Sequence, residues 1–266
     1  MAYINIEYFS DCLKRQTTVK VILPNDGMTQ GNPHYDRPMK TLYLLHGYTG
    51  IGEDWIWNSQ VMEYAGRYNL CVVLPNGENS FFLDGVETGR KYASFVGKEL
   101  PAYLQKTFGL SAAPEDNFTG GLSMGGFGAL HTALAFPENF GKAVGLSSAL
   151  ISYRIAEMKP GMDNAAANYE YYRLMFGDPD KFNESGNNPE ELVRRIQKTG
   201  GKVPGIYMAC GTEDFLLSSN RTFADFLRER NVDFIYHEST GIHDFRFWNQ
   251  YLEPAIRWLV TGSEEA

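Results

Sequence analysis

Cysteine is scarce in this chain. Three cysteines in 266 residues cannot all pair, which excludes a small disulfide-stapled fold. Cys71 and Cys210 lie inside the apolar runs 70–74 and 206–210 and read as small core residues. Cys12 has no evident partner, and the pattern suits a reducing compartment. Positive charge is short as well. Lys and Arg number 24 against 32 Asp and Glu, a formal net charge of -8. Nucleic acid or an anionic membrane as main partner would call for a basic patch, so neither is expected. No apolar run approaches membrane-spanning length, and no basic-then-apolar leader opens the chain. The cytoplasm is therefore the expected location. Repeats and low-complexity tracts are missing too. What remains, 43 % hydrophobic and 21 % charged residues, is the composition of an ordinary globular domain with a sizeable core.

The periodicities describe how that core is covered. Residues 2–9 alternate through Ala2, Ile4, Ile6 and Tyr8, and 16–23 is β-rich up to Pro24, so an N-terminal hairpin is expected. A turn-rich loop, 24–38, follows. Runs at 41–45, 70–74, 142–146 and 206–210 are apolar throughout and too short for helices, as central strands are. Residues 116–119 and 234–237 add two more. Helices are expected over 92–108, after residue 123, and over 219–229 and 245–260. Pro101 would kink the first. Ala129/Leu130 and Ala133/Leu134 repeat at i,i+4 in the second, before Pro137.

Short apolar strands alternating with amphipathic helices predict an α/β domain. Its sheet should be mostly parallel with antiparallel N-terminal strands, and helices should cover both faces. Residues 147–205, between strands six and seven, are far longer than the roughly dozen residues a crossover helix needs. They hold the aromatic- and Met-rich stretch 164–176. They also hold a well-signed helix: Asn188 as cap, Pro189 first, Glu190 and Glu191 in the first turn, Gly200 at the end. The expected organisation is one domain over 1–266 with a cap insertion at roughly 150–203. Its first part is expected above the site and its second part in plain crossover packing.

Gly121-Leu122-Ser123-Met124-Gly125 sits where a strand gives way to a helix. Side chains two residues to either side of the serine would keep strand and helix from crossing closely, so Gly121 and Gly125 fit a serine held on a sharp turn. The helix start would aim its N–H groups and positive dipole end at that serine. A nucleophilic serine needs a base, and the base a carboxylate to orient it. His34 lies in the turn-rich loop, His131 inside the helix and His237 within a strand. His46 ends a strand beside Gly47, where it could order a loop. His243, on the short loop after the last strand, is the candidate base. Asp214 directly follows the strand at 206–210, with Glu213 as the alternative acid. Ends of parallel strands open on one edge, where ligands bind. The chain order Ser123, Asp214, His243 is the α/β-hydrolase order. The backbone N–H groups of Met124 and of Tyr48, in the loop 46–48, are the candidate oxyanion donors. Trp55, Trp57, Phe81, Phe82, Phe215 and Leu216 follow strand ends, and with Tyr169 and Tyr172 they are candidate pocket walls.

These pieces resemble the esterase D / putative esterase family of α/β-hydrolases. The resemblance rests on Leu44-Leu45-His46-Gly47, Glu53-Asp54-Trp55, Pro75-Asn76-Gly77, Glu99-Leu100-Pro101 and Gly121 to Ala129. Cys210 to Phe215 and Gly241 to Phe245 complete it, in family order over nearly the whole chain. The likeness is to small bacterial tributyrin/acetyl esterases and to feruloyl esterases. It implies a serine esterase with Ser123, Asp214 and His243 as its catalytic residues and Tyr48 and Met124 as oxyanion donors, with no metal and no cofactor. The expected partner is a small ester, acetyl- or butyryl-type or cinnamoyl-type, and a homo-oligomer is compatible with the chain. S-formylglutathione hydrolases carry a Cys-rich stretch that Tyr48-Thr49-Gly50 lacks, which lowers the expectation of a thioester. An acyltransferase on the same scaffold is the other alternative, and a silent binding protein a more distant one.

Overall fold

The computed structural model describes residues 1–26 and 29–265, so positions 27 and 28 of the expected loop 24–38 lie outside the described residues. One sheet runs through the molecule in the order β1-β2-β4-β3-β5-β6-β7-β8. The hairpin of β1 (Ala2–Ser10) and β2 (Arg15–Leu23) is antiparallel, and β2 also meets β4 antiparallel. From there to the far edge the strands are parallel: β4 (Leu70–Pro75), β3 (Lys40–Leu45), β5 (Asn117–Leu122), β6 (Lys142–Leu146), β7 (Gly205–Gly211) and β8 (Phe234–Ser239). Central strands buried on both faces are why their sequences are apolar without alternation. On β3, Tyr43 and Leu45 enter one core while Leu42 and Leu44 enter the other.

Helices close both faces. Beneath one lie α1 (Asp54–Asn58), α2 (Val61–Arg67) and α10 (Phe245–Thr261), which carry Trp55, Val61 and Trp248 into the core. The other face is covered by α3 (Tyr92–Ser94), α4 (Leu100–Phe108), α5 (Met124–Ala135) and α9 (Leu217–Glu229), with α6 (Ser152–Glu157), α7 (Tyr169–Phe176) and α8 (Pro189–Lys198) from between β6 and β7. Asn188 caps α8 by accepting from the Glu190 N–H. Cys71 and Cys210 are fully buried, and burial pushes both thiols up to about 12. No helix among the described residues is long and apolar enough to cross a membrane.

The expected helix over 92–108 is corrected in its middle. A π-helical turn, Phe95–Glu99, separates α3 from α4, and the Leu100 N–H reaches back five residues to the Phe95 carbonyl. Pro101 has no N–H, and its ring would press on the carbonyl four residues back. One wider turn takes up that misfit at the place where a kink was expected.

His131 ties the two halves of the upper face together. It is buried on α5, and its Nε2–H donates to the Gly186 carbonyl at 2.9 Å, in the stretch leading to α8. Burial pushes its imidazole down from 6.5 to about 4, against the smaller opposing pull of that carbonyl. The unfolded chain therefore binds a proton that the folded chain refuses. The stabilisation is complete above pH 6.5 and is lost as pH falls towards 4, a change of about 3 kcal/mol at roughly 1.4 kcal/mol per pH unit. A His131→Gln variant should flatten the thermal midpoint between pH 6.5 and 4. An unchanged acid slope in calorimetry would refute this assignment.

Candidate active site

The site forms where β3, β5, β6 and β7 end. Ser123 connects β5 directly to α5 with φ 54 and ψ -120, a conformation that costs a non-glycine residue roughly 1–3 kcal/mol. Close approach of backbone to backbone holds it there. A Cβ on Gly121 would strike the Gly125 carbonyl, and one on Gly125 would strike the carbonyls of Leu45 and His46. The start of α5 thus rests on two strand ends at once. The Ser123 N–H donates to the Leu146 carbonyl at 2.9 Å. Its own carbonyl accepts from Phe127 at 3.0 Å and from Ala149 at 2.9 Å. With its backbone pinned three ways, the serine presents its side chain to the cavity above the sheet edge.

Asp214 and His243 meet on the same edge. The Nδ1–H of His243 donates to Asp214 Oδ2 at 2.8 Å, and the Leu216 N–H donates to Oδ1 at 2.8 Å. The Asp214 side chain is wholly buried and that of His243 is 19 % exposed. Burial alone would raise the Asp214 carboxyl. Hydrogen bonds from His243 and the Leu216 N–H, with the nearby Ser147 hydroxyl, outweigh it and hold the group below its ordinary value. Ser147 is itself fixed by the Trp248 indole N–H at 3.0 Å. Phe215 and Trp248 flank the imidazole, with ring centroids 4.6 and 5.0 Å away. The two neighbouring acids have other duties. Glu213 accepts from the Gly241 N–H at 2.6 Å, and Asp244 caps α10 by accepting from Arg246 and Phe247.

Met124 opens α5, so its N–H is one of the donors that a helix start leaves without an intrahelical partner. Tyr48 comes from the loop after β3 and lines the same cavity as Ser123 and Met124. His46 orders that loop. Its Nε2 accepts from the Gly77 N–H at 2.9 Å, so the proton sits on Nδ1 and is donated to the Gly47 carbonyl at 2.8 Å. Burial holds the imidazole below its ordinary value, which keeps this tautomer neutral.

The cavity has a volume of about 460 Å³. Phe81, Phe215, Leu216 and Tyr172 line it, as expected from the sequence, whereas four candidates do not. Trp55 is turned under β3, where its indole N–H donates to the Leu45 carbonyl at 3.0 Å. Trp57, next to last in α1, is 68 % exposed. Phe82 is fully buried, with its ring edge-on to His46 at 5.3 Å. It and Phe81 both have φ 53, which sends the two neighbours to opposite destinations. Tyr169 stands half-buried at the start of α7, and Tyr171 joins Tyr172 in the wall instead. Sequence reasoning missed Ile151, Ile155 and Met158, whose i,i+4,i+7 spacing was the available signal. It also missed Arg154, while residues 164–166 belong to the stretch expected above the site and do line the cavity. Among the described residues no three His, Cys, Asp or Glu side chains are grouped to hold a metal ion. A serine on a strained turn, an imidazole bonded to a buried carboxylate, and two N–H groups at one cavity are the components of nucleophilic acyl transfer.

Residues 10–259 match the family model described as "Putative esterase". An acetyl esterase of Caldicellulosiruptor saccharolyticus is 40 % identical over 99 % of this chain and 100 % of its own length. Among solved structures, the substrate-bound fluorophosphonate-binding serine hydrolase FphF of Staphylococcus aureus superposes with a TM-score of 0.83 at 28 % identity, over 98 % of each chain. An S-formylglutathione hydrolase, FrmB, of the same organism gives 0.81 at 29 % identity, over 98 % of this chain and 99 % of that one. The mostly parallel sheet with its antiparallel N-terminal strands is the fold of these serine hydrolases.

The close crossing at Gly125 can be probed directly. Gly125→Ala should cost about 1–3 kcal/mol through forced backbone displacement, read as a lower midpoint in denaturant. A variant as stable as the parent would mean that α5 and the β3 end are not in the contact described.

Proposed function

The chain belongs to the "Putative esterase" family and is a carboxylic ester hydrolase; from that premise we propose that Ser123, His243 and Asp214 carry its chemistry on short-chain or cinnamoyl-type esters. The observation that carries this reading is the Asp214–His243 hydrogen bond on the same strand-end edge as Ser123, beside the cavity that Ser123 lines. Nε2 of His243 takes the Ser123 proton as the hydroxyl oxygen attacks the ester carbonyl. Contacts of this kind often tighten only once substrate is bound. The carbonyl oxygen becomes an anion held by the Tyr48 and Met124 N–H groups, each worth on the order of a hundredfold or more in rate. Collapse expels the alcohol, which leaves with the proton from His243. Water then repeats the sequence on the acyl-serine and releases the acid. Asp214, held ionised, keeps the imidazole in the right tautomer and stabilises its charged form.

The walls support the proposed substrate class. Phe81, Ile155, Met158 and Tyr172 offer an apolar bed next to Ser123, suited to a short acyl chain or a planar aromatic acid. The 40 % likeness to an acetyl esterase favours the former. The likeness to S-formylglutathione hydrolase supports thioester hydrolysis as a second reading.

Ser123→Ala should lower kcat/KM by on the order of 10⁴-fold or more while leaving the thermal midpoint within a degree or so of the parent. A fluorophosphonate probe should label the parent and not the variant. A folded Ser123→Ala enzyme with full activity would end the scheme. A panel of p-nitrophenyl esters from acetyl to long-chain, with methyl ferulate and a glutathione thioester, should peak at acetyl or butyryl. A peak at the thioester would select the second reading.

A further inference from the structure

The loop that carries Tyr48 does not hold its shape by itself. Thr49, the next residue, has φ 64, which is an outlier conformation for a β-branched side chain. Its N–H donates to Asn79 Oδ1 at 2.7 Å. Asn79 belongs to the loop after β4, and that loop grips the Tyr48 loop at two further points. The Gly52 N–H donates to Asn76 Oδ1 at 2.8 Å, and the Gly77 N–H to His46 Nε2 at 2.9 Å. The Pro75-Asn76-Gly77 motif thus acquires a purpose, since it and Asn79 clamp residues 46–52.

The clamp is itself clamped. The Tyr171 hydroxyl, on α7, donates to the Asn79 carbonyl at 2.5 Å. The Tyr48 hydroxyl donates to the Ala166 carbonyl at 3.2 Å. The rings of Tyr48 and Tyr171 meet edge to face at 6.1 Å. Ala166 is in turn fixed by Asn164, whose Oδ1 accepts from the Ala166 N–H at 2.9 Å and from the Tyr172 hydroxyl at 3.1 Å. Residues between β6 and β7 therefore reach the Tyr48 loop by two routes, directly and through Asn79.

We infer that Asn79 is a positioning residue for the Tyr48 N–H, and that Tyr171 couples the β6–β7 insertion to oxyanion stabilisation through it. This rests on the reading of Ser123 as nucleophile and of Tyr48 as donor. The physical reason is geometric. An oxyanion donor contributes only when aimed at the place where charge develops, and a displacement of about 1 Å is enough to lose much of its effect. Release of Thr49 from its left-handed conformation rotates the peptide next to Tyr48. Ground-state binding depends on the apolar walls and is left alone, so the cost falls on the transition state.

The test is steady-state hydrolysis of p-nitrophenyl butyrate, with inhibition by phenylboronic acid, whose adduct with Ser123 carries the tetrahedral negative charge. Asn79→Ala should lower kcat about tenfold with KM changed less than about twofold, and weaken the boronate by a similar factor. Tyr171→Phe removes only the hydroxyl and should shift kcat the same way, about threefold. A folded Asn79→Ala enzyme with parental kcat, or one in which only KM rises, overturns the role. If Asn79→Ala does not fold, Tyr171→Phe decides, and a parental kcat there overturns the coupling. Ser123→Ala is measured alongside. Full activity in it would bring down the nucleophile and this role together. Activity lost there but kept in Asn79→Ala would bring down this role alone.

Discussion

Where β5 becomes α5 there is no room for a side chain two residues before or two residues after the serine, and much of the site depends on that shortage of space. Gly121 lets the strand end lie against the helix, and Gly125 lets the helix lie against the carbonyls of Leu45 and His46. The same contact therefore does two things. It bends the backbone at Ser123 into a costly conformation, and it sets the distance between α5 and the loop that carries Tyr48. The proposed nucleophile and its two candidate oxyanion donors are aligned by one packing constraint, without any bond between their side chains. Ser123 can stay strained because its N–H and carbonyl are both used, by Leu146, Phe127 and Ala149, so that relaxing the turn would break three hydrogen bonds at once.

Charge is handled with the same economy. A carboxylate buried without partners would protonate rather than stay ionised. Asp214 receives hydrogen bonds from His243 and the Leu216 N–H, and the nearby Ser147 hydroxyl also favours the charged form. His46 and His131, the buried imidazoles, are bonded to backbone and kept neutral by burial. The two buried imidazoles thus share one outcome, whereas His243 is only partly buried and combines a buried carboxylate partner with a ring packed against Phe215.

The chain was most legible where local chemistry and tertiary position agree. Strand runs such as 142–146 and the Asn188–Pro189 helix start appear as read, because burial on two faces and cap chemistry both act locally. The Gly121–Gly125 turn, Asp214 and His243 were readable because strand ends in a parallel sheet share an edge. The pocket walls were less so. Whether an aromatic after a strand faces cavity, core or solvent depends on loop twist, as Phe81 and Phe82 demonstrate with neighbouring positions and opposite fates. Trp55 looked like a wall and became a hydrogen-bonded core residue, since an indole N–H reached the Leu45 carbonyl. The π-helical turn before Pro101 had no local signal beyond the proline itself. Ile151, Ile155 and Met158 did carry a helical spacing, but across a helix of only six residues, too short for periodicity to stand out.

The stretch between β6 and β7 supplies much of the cavity wall, and besides its core packing it meets the Tyr48 loop through two bonds, Tyr48 to Ala166 and Tyr171 to Asn79. Most of the wall thus comes from a different piece of chain than Ser123, Asp214 and His243, with Tyr48, Phe81, Met124, Phe215 and Leu216 completing it from outside the insertion. Exchange of the insertion with that of a relative would transplant a different wall onto the same reacting edge. A donor segment that lacked the Tyr171 hydroxyl, or whose backbone did not bring a carbonyl to the Tyr48 hydroxyl, would bring its new selectivity at a cost in turnover. Diversification of such an enzyme, natural or engineered, therefore has a built-in rule: the wall is free to vary, its two bolts are not.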